Sequence, residues 1–228
     1  MNEVNPLTQE LVSEVSPISA IIVVVITFFA VLFFGAFFFL IFGTGLALVF
    51  SELLILLVPL SYMLIKRVSI KRFIGFELKP KFIVLGFASG FVLLFINIVV
   101  SLVLTSIFGI SQAVEESNAL ITDLSSSTSG LIVALTALFL AGVCEEFTFR
   151  GFLQNSINRR YSFIPAVAVS SLFFGLFHFD PQLVYILSAI AGGIVLGYIY
   201  HRWNSYLVSS IAHSTLNLLV LAALVFAV

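Results

Sequence analysis

Two adjacent glutamates and an arginine lie inside an apolar stretch of the sequence. Glu145 and Glu146 follow the apolar run 131–143, and Arg150 comes four residues after Glu146. A charged group at membrane depth costs roughly 2.5–3.5 kcal/mol on insertion scales, so such groups are rare and usually functional. Residues four apart share a helix face, so Arg150 can neutralise Glu146. Glu145 lies about 100° further round the helix and is expected to face a cavity. The alternative is an ion-pair cluster that only fixes helix packing.

Two later apolar stretches carry polar side chains at the same spacing. Phe174 and His178 are four residues apart, as are His213 and Asn217, so each pair shares a helix face. At 1.5 Å per residue, Glu145 and His178 both lie roughly 22–26 Å from the turn that joins their helices, which predicts that they meet at one level. Singly, a histidine or asparagine in a membrane helix is ordinary interhelical hydrogen-bonding glue. Only the whole set predicts a site.

This inventory of side chains suits hydrolysis by an activated water. A carboxylate can accept a proton from water, and a neighbouring imidazole can help to hold that water. A histidine and an asparagine on one face can donate hydrogen bonds to a developing oxyanion. Two histidines and a glutamate could instead bind zinc, with water as the fourth ligand.

The composition of the chain predicts an integral membrane protein. Of its 228 residues, 61% are hydrophobic and 9% are charged, and the net charge of −1 gives no support to a nucleic-acid partner. We therefore expect an all-α, polytopic helical membrane protein, with its active site inside the helix bundle. Apolar runs near 20 residues long predict seven transmembrane helices, and eight is the alternative. The predicted spans are 19–42, 46–65, 82–108, 130–157, 163–179, 183–200 and 206–227.

The chain is expected to form one membrane domain over residues 1–228. Residues 1–18 would be a polar N-terminal tail, and 130–220 would hold the catalytic core helices. A turn is predicted at 43–45, and 109–129 reads as a polar loop. The single cysteine, Cys144, excludes an intrachain disulfide.

The distribution of basic residues predicts how the protein sits in the membrane. With seven alternating spans, all Lys and Arg residues except Arg150 fall on one side. The positive-inside rule makes that side cytoplasmic, with the N-terminus inside and the C-terminus outside. We expect the protein to lie in the plasma membrane.

Glu52 and Asn97 are polar residues of the predicted spans that lie outside the motifs. Glu52 could line the cavity or reach the membrane interface, and we favour the interface. Asn97 is interpreted as helix-packing glue.

The three motifs together resemble the CPBP intramembrane proteases, which comprise the type II CAAX prenyl endopeptidases and related bacteriocin-processing and immunity proteins. That family carries EExxxR, FxxxH and HxxxN on successive membrane helices. This chain shows the same order over residues 145–217, in the residues Glu145, Glu146, Arg150, Phe174, His178, His213 and Asn217.

The resemblance implies an intramembrane endopeptidase in which Glu145 is the general base and His178 helps to hold the water. His213 and Asn217 would form the oxyanion site, supported by Glu146, Arg150 and Phe174. No cofactor is required in the interpretation that we favour, because an asparagine beside His213 suits an oxyanion site better than a zinc shell. If Zn²⁺ is used, its ligands would be Glu145, His178 and His213.

The resemblance also implies the partners of the protein. These are the lipid bilayer and a peptide or protein substrate, prenylated or membrane-anchored, with CAAX-type or bacteriocin processing as the reaction. The alternative function is a non-proteolytic membrane scaffold or bacteriocin-immunity protein on the same fold.

Overall fold

A computed structural model describes residues 15–226 of the chain, and every regular element in that part is helical. Most of the predicted N-terminal tail, residues 1–14, lies outside the described residues. Ala227, the end of the last predicted span, also lies outside them. The stretch Pro17–Ile65 contains two helices, α1 (17–42) and α2 (44–65). They are followed by α3 (Ile70–Phe73), α4 (Pro80–Phe108), α5 (Gln112–Leu124), α6 (Thr128–Arg160), α7 (Phe163–Phe177), α8 (Val184–Trp203) and α9 (Tyr206–Phe226).

The helices are long and apolar enough for a membrane protein. Within residues 15–226, five helical stretches could cross a bilayer by length and composition, namely Pro17–Ile65, α4, α6, α8 and α9. The apolar helix α7 is shorter, at 15 residues. Helices satisfy their own backbone hydrogen bonds, which is what the hydrocarbon core requires. The predicted polytopic all-α fold is confirmed.

The stretch Pro17–Ile65 reverses direction at Gly43. The φ of 76° and ψ of 176° at this residue lie in a region that only glycine adopts readily. The rings of Phe38 and Phe50 stack with their centroids 4.3 Å apart. In one straight helix these residues would be separated by about 18 Å. Therefore α1 and α2 form an antiparallel hairpin, as the predicted turn at 43–45 implies.

The helix α6 lies between several neighbours and contains a wide π-helical segment, Phe147–Gln154, whose residues are all buried. π-Helical turns are rare and are often found at functional sites. Within this segment the Thr148 hydroxyl donates to the carbonyl of Ile55 on α2 at 2.6 Å. The Arg150 guanidinium donates to the carbonyl of Gly193 on α8 at 3.2 Å. These bonds fix α6 against helices on two sides.

The basic residues gather at one end of the bundle. Arg159, near the end of α6, donates to the carbonyl of Phe73 at 3.3 Å. The Tyr200 hydroxyl, near the end of α8, donates to the carbonyl of Ile74 at 3.2 Å. The basic segment 66–81 therefore lies against the ends of two long helices, as the alternation of spans predicts.

The helix α5 lies at the opposite end, in the segment predicted to be a polar loop. That prediction is wrong for residues 112–124. Ser111 caps the helix by accepting from the Val114 N–H at 3.4 Å. Ile121, two turns after Val114, is buried. The glutamates of this segment suggest a loop, but they occupy the exposed side of an amphipathic helix.

Candidate active site

His213 on α9 lies between the two glutamates of α6. Its Nδ1 is 3.1 Å from Glu146 Oε1, and its Nε2 is 3.7 Å from Glu145 Oε2. All three residues are buried: His213 is 5% exposed, Glu146 is 0% exposed and Glu145 is 7% exposed. A carboxylate only accepts hydrogen bonds, so Nδ1 of His213 is the donor in its bond with Glu146. This contact brings the first and third motifs together.

The expected ion pair between Glu146 and Arg150 is present. Arg150 Nη1 lies 2.8 Å from Glu146 Oε1, and both side chains are fully buried. The guanidinium carbon also lies 4.4 Å from the centroid of the Phe174 ring, a favourable cation–π geometry. By its spacing in the sequence, Glu146 is expected to pair only with Arg150. The structure shows that the same carboxylate oxygen also meets His213.

His178 follows the last residue of α7, and a backbone bond fixes the orientation of its ring. Its Nδ1 lies 2.9 Å from the carbonyl oxygen of Phe174. Because a carbonyl can only accept, Nδ1 carries a proton, and Nε2 of the neutral ring is an acceptor. The ring packs against Phe174 at a centroid distance of 4.8 Å and against Tyr185 at 5.1 Å.

Asn217 is partly committed to helix packing. Its side-chain nitrogen donates to the carbonyl of Leu138 on α6 at 3.2 Å. One further N–H and the carboxamide oxygen remain for other partners. The packing contact is therefore present, and it leaves one N–H available for the oxyanion role, which stays a prediction.

A cavity of about 330 Å³ connects the second and third motifs. It is lined by Phe174, His178, His213 and Asn217, together with residues of α4, α5, α6 and α8. Glu145 is not among the lining residues, although a tenth of its side chain is exposed. This differs from the expectation that Glu145 faces the cavity directly. Helix periodicity orients Glu145 relative to Glu146, but it does not predict that His213 lies in front of both.

Glu52 lies beside this site. The helices α2 and α6 run parallel, because Gly45 of α2 lies against Val133 of α6 and Ile55 of α2 lies against Thr148 of α6. By that register Glu52 is at about the level of Glu145. Its Oε2 is buried and has no hydrogen-bond partner within residues 15–226. The preferred interpretation of Glu52 as an interfacial residue is therefore wrong, because α2 packs against α6.

Tyr185, near the start of α8, is a cavity residue that sequence reasoning missed. It lines the cavity, and its ring meets the His178 ring edge to face. A tyrosine in an apolar run gives no signal by itself. The contact becomes predictable only when the turn between α7 and α8 is known.

That turn is organised by Asp180. Its carboxylate accepts from the N–H of Gln182 at 2.9 Å, the N–H of Tyr185 at 2.8 Å and the hydroxyl of Ser111 at 2.9 Å. Burial raises the pKa of Asp180, but these hydrogen bonds together outweigh it and hold the pKa below its usual range. Asp180 thus fixes the start of α8 and ties it to α5.

The zinc alternative requires three ligands around one point. Among the residues that the structure describes, no three His, Cys, Asp or Glu side chains are grouped to hold a metal ion. Glu145 and His213 are neighbours, and the Phe174 carbonyl holds Nδ1 of His178, which leaves Nε2 of that ring as an acceptor. Such a carbonyl partner is ordinary for a metal-binding histidine, so zinc binding by Glu145, His178 and His213 stays a prediction.

The sequence was compared with known proteins. Residues 127–219 match the family model described as type II CAAX prenyl endopeptidase Rce1-like. The matched segment contains every candidate site residue from Glu145 to Asn217, and the resemblance drawn from the three motifs is confirmed. Searches of the curated proteins and of the solved structures gave no match.

Proposed function

We propose that the chain, whose residues 127–219 match the Rce1-like family of type II CAAX prenyl endopeptidases, is an intramembrane endopeptidase that uses a water activated by Glu145. The family is one of proteases, and the apolar helices make the chain an integral membrane protein. The observation that carries the mechanism is the contact of His213 with both glutamates.

The attacking water would bind between Glu145 and the two histidines. Glu145 accepts one of its protons, and Nε2 of His178 accepts a hydrogen bond from the other O–H. The water oxygen then attacks the carbonyl carbon of the scissile peptide bond. Distances in a substrate-free site are often long and shorten when substrate binds, so the 3.7 Å between Glu145 and His213 is compatible with this role.

The tetrahedral intermediate carries a negative charge on the former carbonyl oxygen. The free N–H of Asn217 and a protonated Nε2 of His213 are the donors available for that oxyanion. Glu146 accepts from Nδ1 of His213 and so fixes the orientation of the ring. Glu145 then passes its proton to the amide nitrogen, the C–N bond breaks, and the amine leaves.

The substrate would be a peptide or protein at the membrane, and CAAX-type or bacteriocin processing is the class of reaction that the family favours. We place the basic end of the bundle in the cytoplasm by the positive-inside rule. Residues of α5, at the other end, line the cavity, so the cavity would approach the outer face of the plasma membrane.

The proposal is tested with the Glu145→Gln variant in reconstituted membranes, with Glu115→Gln as the control because Glu115 is exposed on α5. Membrane proteomes of cells carrying the wild type and the Glu145→Gln variant identify the substrates. We expect Glu145→Gln to abolish their cleavage and Glu115→Gln to leave it intact. Undiminished cleavage by Glu145→Gln would remove Glu145 from the mechanism. No difference between the proteomes would favour the scaffold or immunity function.

The metal-free mechanism has a separate test. The purified protein is assayed after treatment with a chelator, and its metal content is measured. The proposal expects unchanged cleavage. Loss of cleavage that zinc restores would replace it with a metalloprotease mechanism.

A further inference from the structure

The cavity has a second set of polar side chains, away from the three motifs. They are contributed by helices outside the motif-bearing elements α6, α7 and α9, namely Asn97 and Ser101 on α4, Ser117 and Asn118 on α5, and Ser188 on α8. All of them are uncharged. From the sequence, Asn97 is expected to be a helix-packing residue, whereas the structure places it on the cavity wall.

The packing of α4 against α9 shows how far this set lies from the reactive residues. A Cβ atom added at Gly86 would lie 2.6 Å from the Cβ of Ile211, and one added at Gly90 would lie 2.6 Å from the Cβ of Thr215. The helices therefore run parallel with one constant offset. Asn97 follows Gly90 by two turns and so shares its face. It lies about nine residues, or roughly 14 Å, beyond the level of His213, towards α5.

This distance suits an extended peptide. At about 3.3 Å per residue, some four residues span the interval between His213 and Asn97. The cavity volume of about 330 Å³ lies at the lower end of the range for small-ligand sites, about 300–1,000 Å³. A short extended peptide segment therefore matches this interval in length, and the cavity is large enough to hold part of it.

The chemistry of these side chains also suits a peptide backbone. A peptide that enters the membrane brings N–H and C=O groups that need partners. The carboxamides of Asn97 and Asn118 offer donors and acceptors, and the serine hydroxyls offer both as well. No Lys, Arg, Asp or Glu of the described residues lines the cavity. A charged substrate side chain beside Asn97 and Asn118 would therefore find no oppositely charged residue among those that line this end of the cavity.

The helix α5 is fixed in position at the start of this wall. The Gln112 N–H donates to the side-chain oxygen of Gln182 at 2.6 Å, and Ser111 donates to Asp180 at 2.9 Å. Both acceptors belong to the turn that follows His178. The segment bearing His178 and the helix bearing Asn118 are thus held together.

We propose that Asn97 and Ser101 of α4, with Ser117 and Asn118 of α5, form a subsite for the backbone of an extended, uncharged peptide segment about four residues from the scissile bond. This assignment rests on the proposed function, since the peptide is the substrate of that reaction. The subsite also defines the class of substrate, which is a peptide whose residues beside Asn97 and Asn118 carry no charged side chains.

The first experiment measures binding without cleavage. A pool of fluorescein-labelled hexapeptides made of uncharged residues is titrated against the protein in nanodiscs, beside a matched pool with one Lys or Asp. We expect the uncharged pool to bind more tightly. The Asn97→Ala/Ser101→Ala variant should weaken its binding about three- to thirtyfold, as expected for one or two lost hydrogen bonds. The control variants Ile98→Ala and Leu120→Ala alter neighbouring side chains that are 48% and 39% exposed.

The second experiment uses a substrate identified by the proteome comparison, as a synthetic peptide. The Asn97→Ala/Ser101→Ala variant should raise KM by a similar factor and change kcat less than twofold. Equal binding and equal KM in this variant and in the controls would overturn the subsite. Peptide binding that depends on Asn97, without any cleavage by the wild type, would retain the subsite and overturn the protease function.

Discussion

Oε1 of Glu146 and Nδ1 of His213 lie 3.1 Å apart and join α6 to α9 at the centre of the candidate site. The same oxygen lies 2.8 Å from Arg150 Nη1. Glu146 therefore has two functions at once. It neutralises a buried guanidinium, and it orients the imidazole that faces Glu145.

These two functions can be separated by substitution. Removing one partner of a buried ion pair typically costs about 3–5 kcal/mol, because the other charge is left unpaired. We expect Glu146→Gln to lose stability on that scale, and Glu146→Gln/Arg150→Met to recover much of it. Cleavage should stay low in both variants, since His213 has lost its carboxylate partner. Chemical unfolding and cleavage assays check this, and recovery of activity in the double variant would contradict it.

The close contact of α6 with α9 depends on Gly142. A Cβ atom there would lie 2.2 Å from Ser214 Oγ and 2.4 Å from the Ser214 backbone nitrogen. We expect Gly142→Ala to push α9 away from α6, lowering both the thermal stability and the cleavage rate. Gly192→Ala is the matched control for stability, because a Cβ at Gly192 meets nothing within 4 Å. Equal melting temperatures for the two variants would show that the contact relaxes without cost.

The turn at Asp180 should make stability depend on pH. Its pKa is lowered in the folded protein, so the unfolded chain binds the proton more tightly. The stabilisation is present above the unfolded pKa of about 3.9 and is lost as the pH falls through the folded value. We expect the melting temperature of the wild type to exceed that of Asp180→Asn at neutral pH. The difference should shrink below about pH 4, and a difference that is constant with pH would exclude Asp180 as its cause.

The orientation in the membrane can be tested by thiol labelling. The native Cys144 is fully buried and should not react. Glu115 on α5 and Arg72 at the basic end are both exposed. An impermeant maleimide should label Glu115→Cys in intact cells, and Arg72→Cys only after permeabilisation. The opposite pattern would invert the proposed orientation.

The sequence predicted those features that depend on spacing along one helix. Glu146 and Arg150 pair because residues four apart share a face. Equal distances from a shared turn predicted that Glu145 and His178 lie at one level, and the contact between these two motifs that the structure shows is that of Arg150 with the Phe174 ring. The turn at Gly43 was predictable from two glycines that interrupt an apolar run.

Features that depend on how separate helices meet could not be read from spacing. Glu52 is beside Glu145 only because α2 packs parallel to α6, and the hairpin turn does not specify that neighbour. Tyr185 reaches His178 through the turn built by Asp180. The helix α5 was missed because its polar face obscured a short apolar one.

The residues at the centre of the site also determine its total charge. With both carboxylates ionised, Glu145, Glu146 and the guanidinium of Arg150 sum to one negative charge, and a proton on His213 would bring that sum to zero. When Glu145 takes a proton from water, the negative charge that Glu145 loses passes to the water oxygen and then to the oxyanion, so the charge of the site together with its substrate is unchanged. The same proton later reaches the amide nitrogen. The reaction therefore needs no proton from either side of the membrane until the products leave.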